Sequence, residues 1–173
     1  ACVFFAYPQK HHVEFEHIGV NEGLSQSNIL SIKRDNRGFM WFGTRDGLNR
    51  YDGYSFTLFK NDPLNQKSLS NNFIMDIITA KNGDLWVATL GGGICRYDRN
   101  KENFTRYVHD QKNTNSISHD VVHSIVEDEL GKLWIGSEAG LDMFDPASNE
   151  FVHFFNNPKA SYSLSDSYLR CIF

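Results

Sequence analysis

The sequence predicts an all-β protein made of repeated four-stranded antiparallel units, the architecture of a β-propeller. A turn glycine, a tryptophan three residues later, then an apolar, a small and a hydroxyl residue recur three times, around Trp41, Trp86 and Trp134. These tryptophans are 45 and 48 residues apart, and four short strands in a repeat of this length are typical of a propeller blade. Apolar residues make up 40% of the chain, which is enough to build a core.

The first repeat shows how each blade is divided into strands. Its strands are predicted at residues 29–33, 40–44, 48–51 and 56–59. Asp, Asn and Gly at residues 35–38 favour a tight hairpin turn between the first two strands. The same pattern recurs in the other repeats, with one extra residue in the glycine-rich loop 91–93.

The predicted boundaries follow from these repeats. Complete blades are expected at about residues 24–68, 69–116 and 117–163, with a closing strand of another blade at 13–18 and the start of a fourth blade at 164–173. Residues 1–12 are interpreted as the remnant of a signal peptide or an N-terminal tail.

Three blades cannot close a ring, because propellers typically have four to eight. The sequence is therefore expected to be the N-terminal part of a longer propeller, or half of a ring that a second copy of the chain completes. The open blade faces are expected to expose apolar side chains such as Phe42, Val87 and Ile135, which predicts that the isolated chain is marginally stable or self-associating.

The residues that recur once per blade are predicted to be structural. The tryptophans are expected in the core, and small residues at equivalent positions are expected to let neighbouring sheets approach closely. These small residues are Gly43, Ala88 and Gly136. Asp52, Asp98 and Asp145 are interpreted as turn caps, because carboxylates spread once per blade around a ring cannot share one catalytic pocket.

Positions that differ between blades are the better candidates for binding. The loops after the second strands and the linkers between blades lie on one face, and binding residues usually sit on loops held by a rigid scaffold. Arg45, Asp46 and Glu138 are the predicted ligand-binding residues on this face. The linkers, at residues 61–72, 109–119 and 156–167, can equally be solvated connections.

Composition argues against several other classes of function. The net charge is −4 with no basic stripe, so a nucleic-acid partner is not expected. The three cysteines lack metal-site spacing, and Cys95 and Cys171 are predicted not to pair because one blade separates them. His119 and His123 are about 13 Å apart along an extended strand, so neither a metal site nor a cofactor is expected.

The repeated motif also resembles a known family. Residues 29–52, 75–98 and 122–145 follow the pattern apolar-Ser-Ile-x-x-Asp-x-x-Gly-x-apolar-Trp-apolar-Gly-Thr-x-x-Gly-Leu-x-x-Tyr-Asp, which resembles the two-component regulator propeller repeat. Residues 15–26 are similar to the start of the mature sensor region in that family.

The resemblance implies a periplasmic, seven-bladed sensor propeller of an inner-membrane hybrid histidine kinase that responds to glycan fragments. Membrane attachment and the kinase are then expected in segments beyond residue 173, and no catalytic motif is carried over to this chain. Two alternatives stay open: a propeller enzyme such as a polysaccharide or antibiotic lyase, and a structural propeller that binds protein partners.

Overall fold

The computed structural model describes residues 15–173, which form three four-stranded antiparallel sheets in chain order. The expectations for residues 1–12 lie outside the described residues. Blade one contains β1 (Ile29–Arg34), β2 (Met40–Thr44), β3 (Gly47–Tyr51) and β4 (Phe56–Phe59). Blade two contains β5 (Ile74–Thr79), β6 (Leu85–Thr89), β7 (Ile94–Asp98) and β8 (Asn103–Tyr107). Blade three contains β9 (Val122–Glu127), β10 (Leu133–Ser137), β11 (Leu141–Asp145) and β12 (Glu150–Phe154).

The all-β prediction is confirmed, with a single 3₁₀ turn at Val20–Glu22 as the helical element of the described residues. The predicted strands of blade one agree with the observed ones to within one residue. Residues 15–18 and 169–173, which were expected to lie in flanking strands, are not in strands. A strand needs a neighbour to pair with, and neither segment runs along a sheet edge in the described part of the chain.

The turns between first and second strands are fixed by their own side chains. In blade one, the carboxylate Oδ1 of Asp35 accepts hydrogen bonds from the backbone N–H groups of Arg37 (2.9 Å) and Phe39 (3.1 Å). Gly38 closes the turn with a φ of 94°, a conformation that favours glycine. The hairpin predicted from the sequence therefore forms.

Adjacent blades pack where the small residue of a second strand meets the first strand of the next blade. A Cβ built on Gly43 would lie 2.7 Å from Ile74 Cγ2, and one on Gly136 would lie 3.2 Å from Ile172 Cδ1. The segment after residue 168 therefore covers blade three as β5 covers blade one, although it forms no strand. The predicted role of these small residues in close sheet approach agrees with this packing.

Each tryptophan packs against an aromatic ring on the outer strand of its own blade, and the first two are also covered by a ring from the next blade. Trp41 packs against Tyr97 and Trp86 against Phe144, with ring centroids 5.0 Å and 5.7 Å apart, and both tryptophans are 1% exposed. Trp134 is only half-buried, so the prediction that all three are buried is wrong for this one. Its ring stacks on Phe154 of its own blade, and no ring among residues 15–173 covers its other side.

The open faces expose different residues from those expected. Val87 and Ile135 are fully buried, because each points toward the preceding blade, and only Phe42 of the three expected side chains is half-buried. Ile32 is 50% exposed at the start of blade one, whereas its equivalent Ile77 is buried. Self-association through these faces stays a prediction.

The aspartates that follow the third strands do cap turns. The Oδ1 atom of Asp52 accepts the N–H groups of Tyr54 and Ser55, and Asp98 and Asp145 cap their own turns in the same way. These backbone hydrogen bonds lower the pKa of Asp52 and Asp98 below the ordinary value of 3.8. The interpretation of these residues as structural is confirmed.

Candidate binding face

One end of the blades, which we call the linker face, carries the loops after β2, β6 and β10 together with the linkers between blades. Each loop is tied to the segment that follows its blade. Gly47 donates its N–H to the Asn72 carbonyl (2.7 Å), Gly91 donates to the Asp120 carbonyl (3.0 Å), and the Ser137 carbonyl accepts the N–H of Leu169 (3.0 Å). The loops and linkers therefore form one hydrogen-bonded surface, as the strand order predicts.

The three predicted ligand-binding residues lie on this face but each has a separate local partner. The Arg45 guanidinium lies over the Phe73 ring at 5.3 Å, and Asp46 pairs with Lys60 at 2.8 Å. Glu138 Oε1 lies 3.9 Å from His123 Nε2. Among residues 15–173 no ion pair or hydrogen bond joins any two of the three, so they do not form one site.

A β-bulge places one residue of each first strand next to this face. The pairing between first and second strands shifts at Leu30 in blade one, at Met75 in blade two and at His123 in blade three. Bulges re-aim a side chain and are common beside functional sites. The first two bulge residues are apolar, and only the third can exchange hydrogen bonds through its side chain.

At the junction after blade three, the bulge residue is therefore a histidine, and it lies among other polar side chains. The Tyr168 ring has two such contacts. Its centroid lies 5.2 Å from that of the His123 ring and 5.3 Å from the Arg170 guanidinium. The His123 side chain is 9% exposed and its Nε2 has no hydrogen-bond partner. The neighbouring Glu138 side chain is 40% exposed. We call His123, Glu138, Tyr168 and Arg170 the third-junction cluster.

Sequence reasoning found one member of this cluster and missed three. Glu138 was predicted, but His123 was considered only as half of a metal pair with His119. The sequence does show that His123 stands where the other blades have Leu30 and Met75. This difference indicates a site only when the β-bulge at that position is known. His119 is separate from the cluster: its Nδ1 accepts the Val121 N–H at 3.1 Å.

Neither a metal site nor a catalytic triad is formed by the described residues. No group of three or more His, Cys, Asp or Glu side chains in residues 15–173 is placed to hold a metal ion. Ser118, Asp142 and His153 lie together, but the Asp142 carboxylate stands between the serine hydroxyl (2.7 Å) and the imidazole (2.6 Å). A nucleophilic serine needs the imidazole as its neighbour, so this order does not fit a catalytic triad.

Cys95 and Cys171 do not pair, as predicted. Cys95 is buried in β7 and Cys171 is exposed, and both are free thiols. Burial raises the pKa of the Cys95 thiol, although a hydrogen bond with Ser70 opposes this. A thiol that is buried and protonated acts as a small apolar group.

Repeated four-stranded sheets, packed face to face through their first and second strands, define this chain as a run of β-propeller blades. Residues 23–46, 68–91 and 116–139 each match the two component regulator propeller repeat, so every blade of this chain carries one copy of that repeat. Each matched segment covers the first hairpin of a blade, with the turn glycine and the tryptophan.

The chain is similar to larger signalling proteins. It is 47% identical over 49 residues to Histidine kinase P4 of Formosa agariphila, which is 28% of this chain and 4% of that protein. The extracellular domain of a putative hybrid two component system from B. thetaiotaomicron superposes with a TM-score of 0.76 and 27% identity, covering 81% of this chain and 20% of that one. The extracellular domain of a putative one component system from the same organism gives a TM-score of 0.63 and 27% identity, covering 84% and 20%.

The chain therefore spans a fifth or less of the length of these relatives. Within residues 15–173, no helix has the length and apolar character needed to cross a bilayer.

Proposed function

We propose that this chain is a ligand-sensing segment of the extracytoplasmic propeller of a two-component receptor. The similarity to extracellular domains of such systems, at a TM-score of 0.76, is the observation that carries the proposal. The proposed location is the periplasm, with the kinase and the membrane anchor supplied by other parts of an inner-membrane protein. The proposed role is binding rather than catalysis.

We further propose that the ligand is an oligosaccharide and that it contacts the third-junction cluster. The apolar face of a tyrosine ring suits the C–H groups of a sugar, and carboxylate and imidazole groups suit its hydroxyls. Tyr168, Glu138 and His123 bring these groups together at one blade junction. Ligand sites combine apolar surface with a few convergent polar groups in this way.

Binding is tested with the full chain by a thermal-shift screen against neutral and acidic oligosaccharides, followed by calorimetry on each hit. Tyr168→Ala and Glu138→Gln are each expected to weaken binding about tenfold or more, which corresponds to roughly 1.4 kcal/mol. Tyr54→Ala and Glu129→Gln are the matched controls, since both are exposed residues in turns at the opposite end of the blades.

The proposal of the site is contradicted if a sugar binds and all four variants bind it equally. The proposal of the ligand class is contradicted if no oligosaccharide shifts the melting temperature or gives heat on titration.

A further inference from the structure

The linkers before blades two and three fold in the same way. In the first linker, residues 61–72, the N–H of Asn65 bonds to the Asp62 carbonyl and that of Ser68 to the Asn65 carbonyl, both at 3.0 Å. In the second linker, residues 109–119, Asn113 and Ser116 make the equivalent bonds at 3.0 Å and 3.1 Å. The two linkers are therefore an internally matched pair.

A cationic side chain on the fourth strand holds the first linker. The Arg106 guanidinium donates to the carbonyls of Asn65 (2.9 Å), Ser68 (2.8 Å) and Leu69 (2.8 Å). Arg106 pairs across the sheet with the buried Cys95. Because arginine stays protonated at every relevant pH, this attachment does not titrate.

The second linker is held at the equivalent place by a histidine. His153 pairs across the sheet with the buried Asp142. Its Nε2 lies 3.0 Å from the Thr114 carbonyl of the linker, and its Nδ1 lies 2.6 Å from Asp142 Oδ1. In blade three a histidine is paired across the strands with an aspartate, whereas in blade two an arginine is paired with a cysteine.

Counting donors fixes the charge of this histidine. A carbonyl oxygen can only accept, and so can an ionised carboxylate, so both ring nitrogens must carry protons. The other carboxylate oxygen of Asp142 accepts the N–H (3.0 Å) and the hydroxyl (2.7 Å) of Ser118, so both oxygens of this carboxylate already have partners. The geometry is that of an imidazolium paired with a carboxylate.

The surroundings of His153 agree with this assignment. Burial by itself lowers the pKa of His153, but the hydrogen bonds to Asp142 and to the Thr114 carbonyl, with the Asp142 charge, outweigh it and raise the pKa above 6.5. Asp142 is the charged group that faces the imidazole from β11, and the linker presents the Thr114 carbonyl. The rings of Phe151 and Phe155 stack against His153 from its own strand and its extension, at 6.3 Å and 5.8 Å.

We propose that His153 is a proton-dependent latch that holds the second linker against the outer strand of blade three. As the imidazolium, it bonds the linker and the buried Asp142 at the same time. When it loses its proton, one of these two acceptors loses its donor, and the linker detaches more readily. The latch operates whether or not the linker face binds a sugar.

The direction of the pH dependence follows from the raised pKa. A group whose pKa is higher in the folded state stabilises that state fully below its unfolded pKa, and the contribution is lost as pH rises through the folded pKa. The latch is therefore closed in mildly acidic solution and opens above pH 6.5, the ordinary histidine value. The first linker, held by Arg106, has no such transition.

Hydrogen exchange on the full chain tests this directly, with one linker as the reference for the other. Protection factors of the Asn113 and Ser116 amides are compared with those of Asn65 and Ser68 from about pH 5.5 to about pH 9. The protection of the second linker is expected to fall roughly tenfold relative to the first across this range. An unchanged ratio overturns the proposal.

Variants distinguish the effect of His153 protonation from the effect of its side-chain packing. The double variant Asp142→Cys/His153→Arg places the residue pair of blade two in blade three. The ratio of second-linker to first-linker protection factors in this variant is expected to be independent of pH. His153→Gln is expected to give low protection of the second linker at every pH, and Glu150→Gln, an exposed change in the same strand, to behave like the native chain. A pH-dependent ratio that persists in His153→Gln overturns the proposal.

The native chain also gives a test that does not depend on any variant folding. Nuclear magnetic resonance of the His153 ring nitrogens at a pH below 6.5 is expected to show both protonated. A single protonated nitrogen there contradicts the latch.

Discussion

Blades two and three carry the same motif but differ in how completely it is buried. Every residue of β6 in blade two is buried, whereas Trp134 in β10 of blade three is half-buried. Blade three covers Trp86 with the Phe144 ring, and no ring of the described residues does the same for Trp134. The motif therefore determines where the tryptophan points, and the next blade determines how much it stabilises the fold.

A second difference concerns the indole N–H. It donates to Asp35 in blade one (3.1 Å) and to Asp128 in blade three (3.0 Å). In blade two the equivalent residue is Ala80, which offers no side-chain acceptor. In blade two, a tryptophan as deeply buried as Trp41 therefore has no aspartate to accept its indole N–H.

The largest expected effect comes from removing the tryptophans. Trp86→Ala should lower the free energy of unfolding by about 3–5 kcal/mol, the range for large buried aromatic side chains. Trp134→Ala should cost about half as much, because part of its ring is already in contact with water. Urea unfolding followed by circular dichroism measures both, and equal losses would contradict the comparison.

The small residues at the blade junctions give the next largest effect. Gly43→Ala should destabilise the chain by about 1–3 kcal/mol, because the new Cβ would lie 2.7 Å from Ile74. Gly136→Ala should cost less, because its nearest contact is 3.2 Å, to the end of the Ile172 side chain. Melting temperatures of the two variants rank them, and the reverse order would show that the segment after residue 168 is packed more tightly than β5.

The indole acceptors give a smaller effect. Asp35→Ala should cost about 1–2 kcal/mol, because it leaves the buried Trp41 N–H without a partner. Ala80→Asp tests the converse in blade two and should be neutral or stabilising. Chemical denaturation decides between these outcomes, and a strongly destabilised Ala80→Asp would show that the site beside Trp86 cannot accept a carboxylate.

The smallest effect is an acid-side pH dependence. Hydrogen bonds from the Lys132 N–H and the Trp134 indole lower the pKa of Asp128 below 3.8. Its contribution to stability is therefore complete above the unfolded pKa and is lost as pH falls through the lower, folded value. Carboxyl carbon resonances titrated with acid should show the Asp128 midpoint below 3.8, and Asp128→Asn should remove this part of the acid dependence.

The glycine, tryptophan and aspartate pattern was sufficient to predict the repeats, the strands and the turn caps. These features arise from contacts within one blade, between residues that are close in sequence. Arg45, Asp46 and Glu138 lie at the end of the blades where the sequence placed them, since alternating strand direction determines which loops share an end, and their role in binding stays a prediction.

Three features were decided only by tertiary structure. The half-exposure of Trp134 depends on what lies across the blade junction, the pairing of His123 with Glu138 depends on a bulge, and the pairing of His153 with Asp142 depends on strand register. Each involves residues at least 11 positions apart whose contact is set by how strands align rather than by local pattern. By itself the sequence determined the blade, because its periodicity is local, and packing between strands and blades determined which polar side chains meet.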